Sequence, residues 1–438
     1  MKIFKRFIDS DISELLSDTP FLNFILSVAF SQIASNMMNV VLIFLVSFLT
    51  SSNFSVAILV LTFMIPQIFL SFIGGIIADL KNKKMILLTG NLLRALILVV
   101  LLINNKSIIL VYLVSFFISV ITQFYVPAEA PLLPALVARK NLTAANSIFG
   151  IALFGSILLG YILAGPAVST LGRSYVFVLL STFFVIAGYL IYLVPDKVGS
   201  NNNHSNGSLF NKFGYTLKNE LKNTYKLISD IEGIAGSFML LIFSQIIIVV
   251  IATIIPGYAR GILEVPVEEL SLLLFSPAAI GMLVGSFLLG SAWKSKDKGK
   301  IMTIGIFISS LVFILFPLNS RIVSRDIFRL INSFLPHILK VNVLHFTVVI
   351  AFLAGFSNAC IFIPSQTILQ EKVPEFFRSK IYGLLFAFIA LFSLIPIILS
   401  GWIADIFGVG TVLFIIGSLI FCLGLSRVIK MPVVRLSG

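Results

Sequence analysis

Stretches of about 17 to 30 mostly apolar residues recur along this chain from residue 20 to residue 427. At 1.5 Å of rise per residue, each is long enough as a helix to cross about 30 Å of hydrocarbon. Bounded by charged residues or by Pro, Gly and Asn, they fall near 20–49, 54–78, 85–103, 108–126, 143–168 and 175–194, then near 234–256, 270–290, 301–317, 342–364, 381–402 and 411–427. Charged residues make up only 11% of the chain, against about 25% in a soluble domain. A water-soluble fold is therefore excluded. Hydrocarbon offers no partner to a bare peptide group, so the spans must satisfy their own backbone as helices. The expected fold class is an all-α membrane protein of twelve transmembrane helices.

The formal charge of +13 would suit a nucleic-acid partner, but its placement argues for membrane topology instead. With the N-terminus inside, the seven inside segments carry 23 Lys and Arg, the outside loops carry 7, and Arg94 alone lies within a span. Positive loops stay cytoplasmic. Both termini are thus expected in the cytoplasm of a multi-pass cell-membrane protein, with no nucleic-acid partner. The first apolar stretch is too long for a cleaved signal peptide. Cys360 and Cys422 both lie inside apolar runs, which leaves neither a disulfide framework nor a cysteine metal site. His204, His337 and His345 are dispersed, and there is no glycine-rich phosphate loop. No metal, no cofactor and no catalytic residue is expected, which makes a membrane-embedded enzyme the weakest of the competing readings.

The chain divides into an N-terminal six-helix half (1–195), a polar linker (196–233) and a C-terminal six-helix half (234–438). Within the linker, Phe210, Phe213, Leu217, Leu221, Ile228 and Ile231 recur at helical spacing, which predicts an amphipathic helix on the membrane face. The halves repeat each other weakly. Gly74 and Lys84 match Gly290 and Lys300 at an offset of 216, whereas Pro127 matches Pro364 at an offset of 237. The difference predicts an insertion at 318–341, whose apolar and charged stripes suggest a second interfacial helix on the outer face.

Two regions carry a family resemblance. The loop Gly75-Ile76-Ile77-Ala78-Asp79-Leu80-Lys81-Asn82-Lys83-Lys84 is similar to the loop after the second span of the major facilitator superfamily, with Leu80 and Asn82 departing from the pattern. Asn82 stands where the pattern has glycine, and as a residue that tolerates a left-handed backbone it is expected to keep the tight turn. The second region is Pro127-Ala128-Glu129-Ala130-Pro131-Leu132-Leu133-Pro134, followed by Asn141 to Ser147 and Gly165-Pro166, with a counterpart in Pro364, Gln370 to Pro374 and Arg378-Ser379-Lys380. Together they resemble the drug-exporter-like branch that includes macrolide and siderophore efflux proteins. The resemblance implies two pseudo-symmetric six-helix bundles and secondary active transport, here as efflux or antiport by alternating access. A lysophospholipid or lipid flippase of the same superfamily is the alternative.

The resemblance further implies a conformational gate at Gly75, Asp79, Lys83, Lys84 and Arg378, with Asp79 meeting the start of the eleventh span near Arg378. Gly165 and Pro166 resemble an exporter motif. Ala152, Ser156, Gly160 and Ala164 are small at spacing four, which favours a close helix neighbour, so Gly160, Gly165 and Pro166 are expected to serve helix packing. Polar side chains in hydrocarbon must converge away from lipid. On that ground Gln32, Asn36, Tyr112, Gln123, Gln245 and Asn358, with Arg94 as the one charge inside a span, form the candidate substrate-binding set. Forty-two Phe and the absence of an acidic cluster favour an apolar or amphiphilic small molecule over a sugar or a dication. No carboxylate falls clearly within a span, and Glu129 is the nearest candidate for coupling to protons; another coupling ion stays open. Beyond the solute and the lipid bilayer no partner is expected, and the protein is expected to be a monomer.

Overall fold

The computed structural model describes residues 11–138, 141–195, 234–290, 293, 296–319, 343–373 and 375–430. The expected interfacial helices in the linker and at 320–341 lie outside the described residues. Helix dominates, and no strand occurs among the described residues. After a short helix at Asp11–Ser17, the membrane helices of the first half are α1 (Thr19–Thr50), α2 (Asn53–Leu80), α3 (Lys83–Ile103), α4 (Ile108–Glu129) and α5 (Leu142–Tyr192). Those of the second half are α6 (Ile234–Tyr258), α7 (Ser276–Gly290), α8 (Lys298–Leu315), α9 (Val343–Lys372), α10 (Glu375–Phe407) and α11 (Val409–Lys430).

Eleven helices among the described residues are long and apolar enough to cross a membrane. One of them, α5, has 51 residues, more than twice the ~20 that a crossing needs. It turns at Gly172, where φ is +78° and ψ 173°, a backbone that glycine alone adopts without a Cβ clash. The two arms of α5 are the expected fifth and sixth spans, so the eleven helices make twelve crossings. The expected fold class stands.

The helices form two units, one comprising Met1–Thr50 with Ile58–Asn206, the other Ser51–Ala57 with Gly207–Gly438. In the first, α1 packs along α5, and α3 packs on α5 and α4. The small-residue face of α5 explains the first pairing. A Cβ on Gly160 would come within 2.8 Å of Asn36 Cβ and 2.9 Å of the Ile33 carbonyl oxygen, so only glycine lets α1 lie this close. In the second unit, α7 and α8 pack on α9, α8 on α11, and α6 on α10.

Corresponding loops in the two units start their next helices alike. Asn82 caps α3 by accepting the Met85 N–H, and Asp297 caps α8 by accepting the Lys300 N–H at 3.0 Å. Here the expectation for Asn82 needs correction. Its φ of −63° and ψ of 113° are extended, not left-handed. An N-cap takes that conformation, and the side-chain oxygen does there what a glycine cannot.

Candidate functional site

Within the first unit, α1, α3, α4 and the second arm of α5 enclose the most polar interior among the described residues. Its centre is Arg94, 1% exposed on α3. A lone guanidinium in hydrocarbon is costly, about 2.5–3.5 kcal/mol on insertion scales, so its surroundings must offset that cost. Nη1 reaches Ser31 Oγ of α1 at 3.4 Å, and Nη2 donates to Thr122 Oγ1 of α4 at 3.2 Å. The guanidinium carbon sits 4.2 Å from the Tyr125 ring centroid and 5.6 Å from that of Phe184. Two aromatic faces therefore stabilise the cation, and among the described residues no carboxylate lies within ion-pair distance of it. Ser31 in turn donates to Asn91 Oδ1 at 2.9 Å. Arg94, of the seven residues expected to meet substrate, is the one sealed from any open space.

About two turns beyond Thr122 on α4 lies a carboxylate. Glu129 is 4% exposed, because α4 runs three residues beyond the end expected from its apolar run, through Pro127 to Glu129. A helix needs no apolar side chain to continue its backbone bonds, so the run underestimates its length. Gln32 Nε2 donates to Glu129 Oε2 at 3.0 Å, tying α1 to α4, while Oε1 has no hydrogen-bond partner. The Arg94 Nε is likewise buried without a partner. Buried polar groups left without a partner are rare, and each calls for an explanation.

The six neutral residues of the expected set share a different property. Gln32, Asn36, Tyr112 and Gln123 in the first unit, and Gln245 and Asn358 in the second, are all half-buried. Asn36 donates to the Gln32 carbonyl at 2.8 Å and Gln123 to the Ser119 carbonyl at 3.2 Å, each one turn back on its own helix. Gln32 is the member that bonds across helices. The serines beside them serve cohesion: Ser27 bonds the Ala187 carbonyl at 2.7 Å, Ser119 that of Phe63 at 2.6 Å, and Ser244 and Ser357 carbonyls of their own helices.

The gate residues are dispersed between described and undescribed side chains. Lys84 is buried, with Nζ 5.6 Å from the Tyr192 ring centroid, and Lys83 is half-buried. Gly75 has open space where a Cβ would stand. Asp79 and Arg378 belong to α2 and α10, and their side chains lie outside the described ones. Gly165 is buried and Pro166 lies within α5, its carbonyl accepting from Thr170 Oγ1 at 2.7 Å. A groove of about 390 Å³ between α7 and α9 is lined by Leu272, Ser276, Pro277, Ile280, Val348, Val349 and Phe352. The one hydroxyl there, of Ser276, bonds the Ser271 carbonyl, so the groove offers a solute no free polar anchor beyond lipid-like surface.

Sequence reasoning passed over Asn91, Tyr125 and Phe184. Asn91 was within reach, being three residues before Arg94 and hence on its helix face. The two aromatics were not, since apolar runs do not say which of their rings turn inward.

A family model described as the Major Facilitator Superfamily matches residues 24–331. No curated protein matches the chain. Among solved structures, the nucleoside transporter NupG superposes with a TM-score of 0.69 at 13% identity, covering 94% of this chain and 98% of its own. A POT family transporter in complex with a thioalcohol-conjugated peptide gives 0.70 at 12% identity, covering 93% and 95%. The POT family transporter PepTSo gives 0.67 at 13%, covering 94% and 97%. At these identities the likeness is one of fold.

Proposed function

This chain belongs to the major facilitator superfamily, and on that premise we propose that it is a secondary transporter that moves a small apolar or amphiphilic solute out of the cell by alternating access. Membership makes it a membrane transporter and not an enzyme. The observation that carries the finer reading is the uniform half-burial of Gln32, Asn36, Tyr112, Gln123, Gln245 and Asn358. Neutral amides and one phenol at half-buried positions on apolar helices suit a solute that needs a few hydrogen bonds and much apolar contact.

Glu129 is the proposed coupling residue. Its carboxylate is held by Gln32 from α1 on one oxygen and by nothing on the other, so a proton taken up there changes how α1 and α4 are joined. Gly75, Asp79, Lys83, Lys84 and Arg378 are proposed as the gate, on a chain with both termini in the cytoplasm.

The decisive experiment is flux in proteoliposomes of a lipophilic cation dye and of a lysolipid, each with and without a pH gradient. Dye movement that a pH gradient accelerates, and that Glu129→Gln uncouples from the gradient, is the expected result. Movement of the lysolipid instead would assign the chain to lipid translocation. Movement of neither would overturn the reading.

A further inference from the structure

The first turn of α2 is held by an aspartate more than 350 positions away in sequence. Asp405, in the last turn of α10, accepts hydrogen bonds from Ser52 Oγ at 2.6 Å, from the Asn53 N–H at 2.8 Å, from Asn53 Nδ2 at 2.9 Å and from the Phe54 N–H at 3.1 Å. The opening N–H groups of any helix lack intrahelical partners, and the positive end of the helix favours an anion. A local cap is already in place, since Ser52 Oγ accepts the Ser55 N–H at 3.2 Å. Asp405 is thus a second cap, brought from another helix, with charge-assisted bonds.

The surroundings are shaped to admit it. Gly401 lies one turn before Asp405 on the same face of α10, and a Cβ there would come within 2.9 Å of Ala57 Cβ and 3.0 Å of both the Asn53 carbonyl oxygen and Phe54 Cα. Gly257, near the end of α6, leaves the space that the Asn53 amide fills. Arg260 donates through Nη2 to the Ser51 carbonyl at 3.0 Å. Ser51 itself has φ of +55°, a left-handed conformation that a serine adopts only when its neighbours impose it. Residues Ser51–Ala57 belong to the second unit, whereas α2 belongs to the first from Ile58 onward. The unit boundary therefore falls inside one continuous helix, one turn after the contacts with Asp405.

We propose that Asp405 is a releasable clasp on the first turn of α2, made in the state seen here and broken in the state of the transport cycle in which residues 51–57 leave the second unit. Three features fit release rather than permanent cohesion. Asp405 is exposed, so water can replace every bond it loses. The donors are the small polar groups Ser52 and Asn53 and two backbone N–H groups, each of which water also satisfies. The unfavourable backbone at Ser51 is free to relax when the turn lets go. The proposal rests on the transporter reading, which supplies the cycle.

The test uses the full chain with Cys360→Ser and Cys422→Ser, and places a single thiol by Val56→Cys, since Val56 is fully buried in the clasped turn. A membrane-impermeant maleimide is supplied on both faces of proteoliposomes. With Asp405 intact, labelling is expected to be slow. Asp405→Ala and Asp405→Asn are expected to speed it by about tenfold, as a shift in the population of the open turn, and Asp405→Glu, which keeps the anion, is expected to remain near the parent rate. Labelling that is unchanged in both the Ala and the Asn variants overturns the clasp, whatever the flux assay gives. Faster labelling in these variants, in a protein that moves neither dye nor lysolipid, upholds the clasp as a conformational contact and overturns the transport reading alone.

Discussion

The two units use the same helical plan with opposite interiors. Among the described residues the first unit buries three charged side chains, Lys84, Arg94 and Glu129, whereas the second buries serines and threonines and none of Asp, Glu, Lys or Arg. What holds the second together is close backbone approach. Gly281 and Gly355 face α9 and α7 reciprocally: a Cβ on the first would overlap the Phe352 carbonyl, and one on the second the Ala278 carbonyl. Gly285 against Ala359 extends that seam, at 2.7 Å, and Gly305 of α8 meets Cys360 of α9 in the same manner at 2.8 Å. In hydrocarbon, small residues that let backbones touch replace the hydrophobic force between helices. The repeat preserves architecture, while among the described residues the buried charges are confined to one of the two units.

The largest effect should come from breaking the seam. Gly355→Val places a side chain where the Ala278 carbonyl stands, so α7 and α9 must separate, at a cost of about 3 kcal/mol or more. Size-exclusion of the detergent-purified variant should show aggregated or absent protein. Gly155→Val, at a position with open space around it, should elute as the parent does. If Gly355→Val runs as a monodisperse, normally melting protein, the seam is not what holds the second unit.

Next in size is the charged centre of the first unit. Arg94→Met removes the cation but keeps much of the bulk, leaving Ser31, Thr122 and the faces of Tyr125 and Phe184 without it. A loss of about 3 kcal/mol is expected, seen as a lowered melting temperature and as lost flux. If Arg94 offsets the buried charge of Glu129, adding Glu129→Gln should restore part of the melting temperature, since residues that share a field do not add. Strict additivity would separate them into two independent features. Ser357→Ala in the second unit should change melting by less than about 1 kcal/mol, because its hydroxyl only bonds the Ala354 carbonyl of its own helix.

The two interiors were not equally legible in the sequence. Spans were, because a charge or a Pro, Gly or Asn cluster between apolar runs marks where the chain leaves hydrocarbon. Even the bend of α5 falls at Gly172, in the gap left between runs 143–168 and 175–194. Helix ends were less so. α4 runs on to Glu129, α9 to Lys372 and α10 to Phe407, since backbone bonding continues past the last apolar residue. Both carboxylates lie in that shortfall: Glu129, named as the nearest carboxylate, stood three residues past its run, and Asp405 three residues past another. The spacing of Gly401 and Asp405, one helical turn apart, was the available signal. Arg94 was legible as a lone charge, but its partners on α1, α4 and α5 were not, because spacing along one helix does not tell which face a distant helix presents.

The smallest effects should separate solute contacts from packing, and they bear on whether the neutral residues of both units serve one role. Asn36→Leu and Gln123→Leu in the first unit, and Gln245→Leu and Asn358→Leu in the second, each remove one amide at half-buried positions. A neutral hydrogen bond at membrane depth is worth about 0.6 kcal/mol on average, which is roughly a threefold change in an equilibrium constant. For Asn36 and Gln123 the bond lost inside the protein is to a carbonyl of the same helix that already has its helical partner, so melting should hardly move. Each of the four should therefore raise KM for dye flux about threefold, with maximal rate and melting temperature unchanged. Combining one from each unit should multiply to about tenfold, because distant sites add in free energy. If instead KM holds and melting temperature falls, the amides are packing groups. If only the first-unit pair moves KM, the division seen in the charged residues extends to the neutral ones, and the solute is read by the first unit alone.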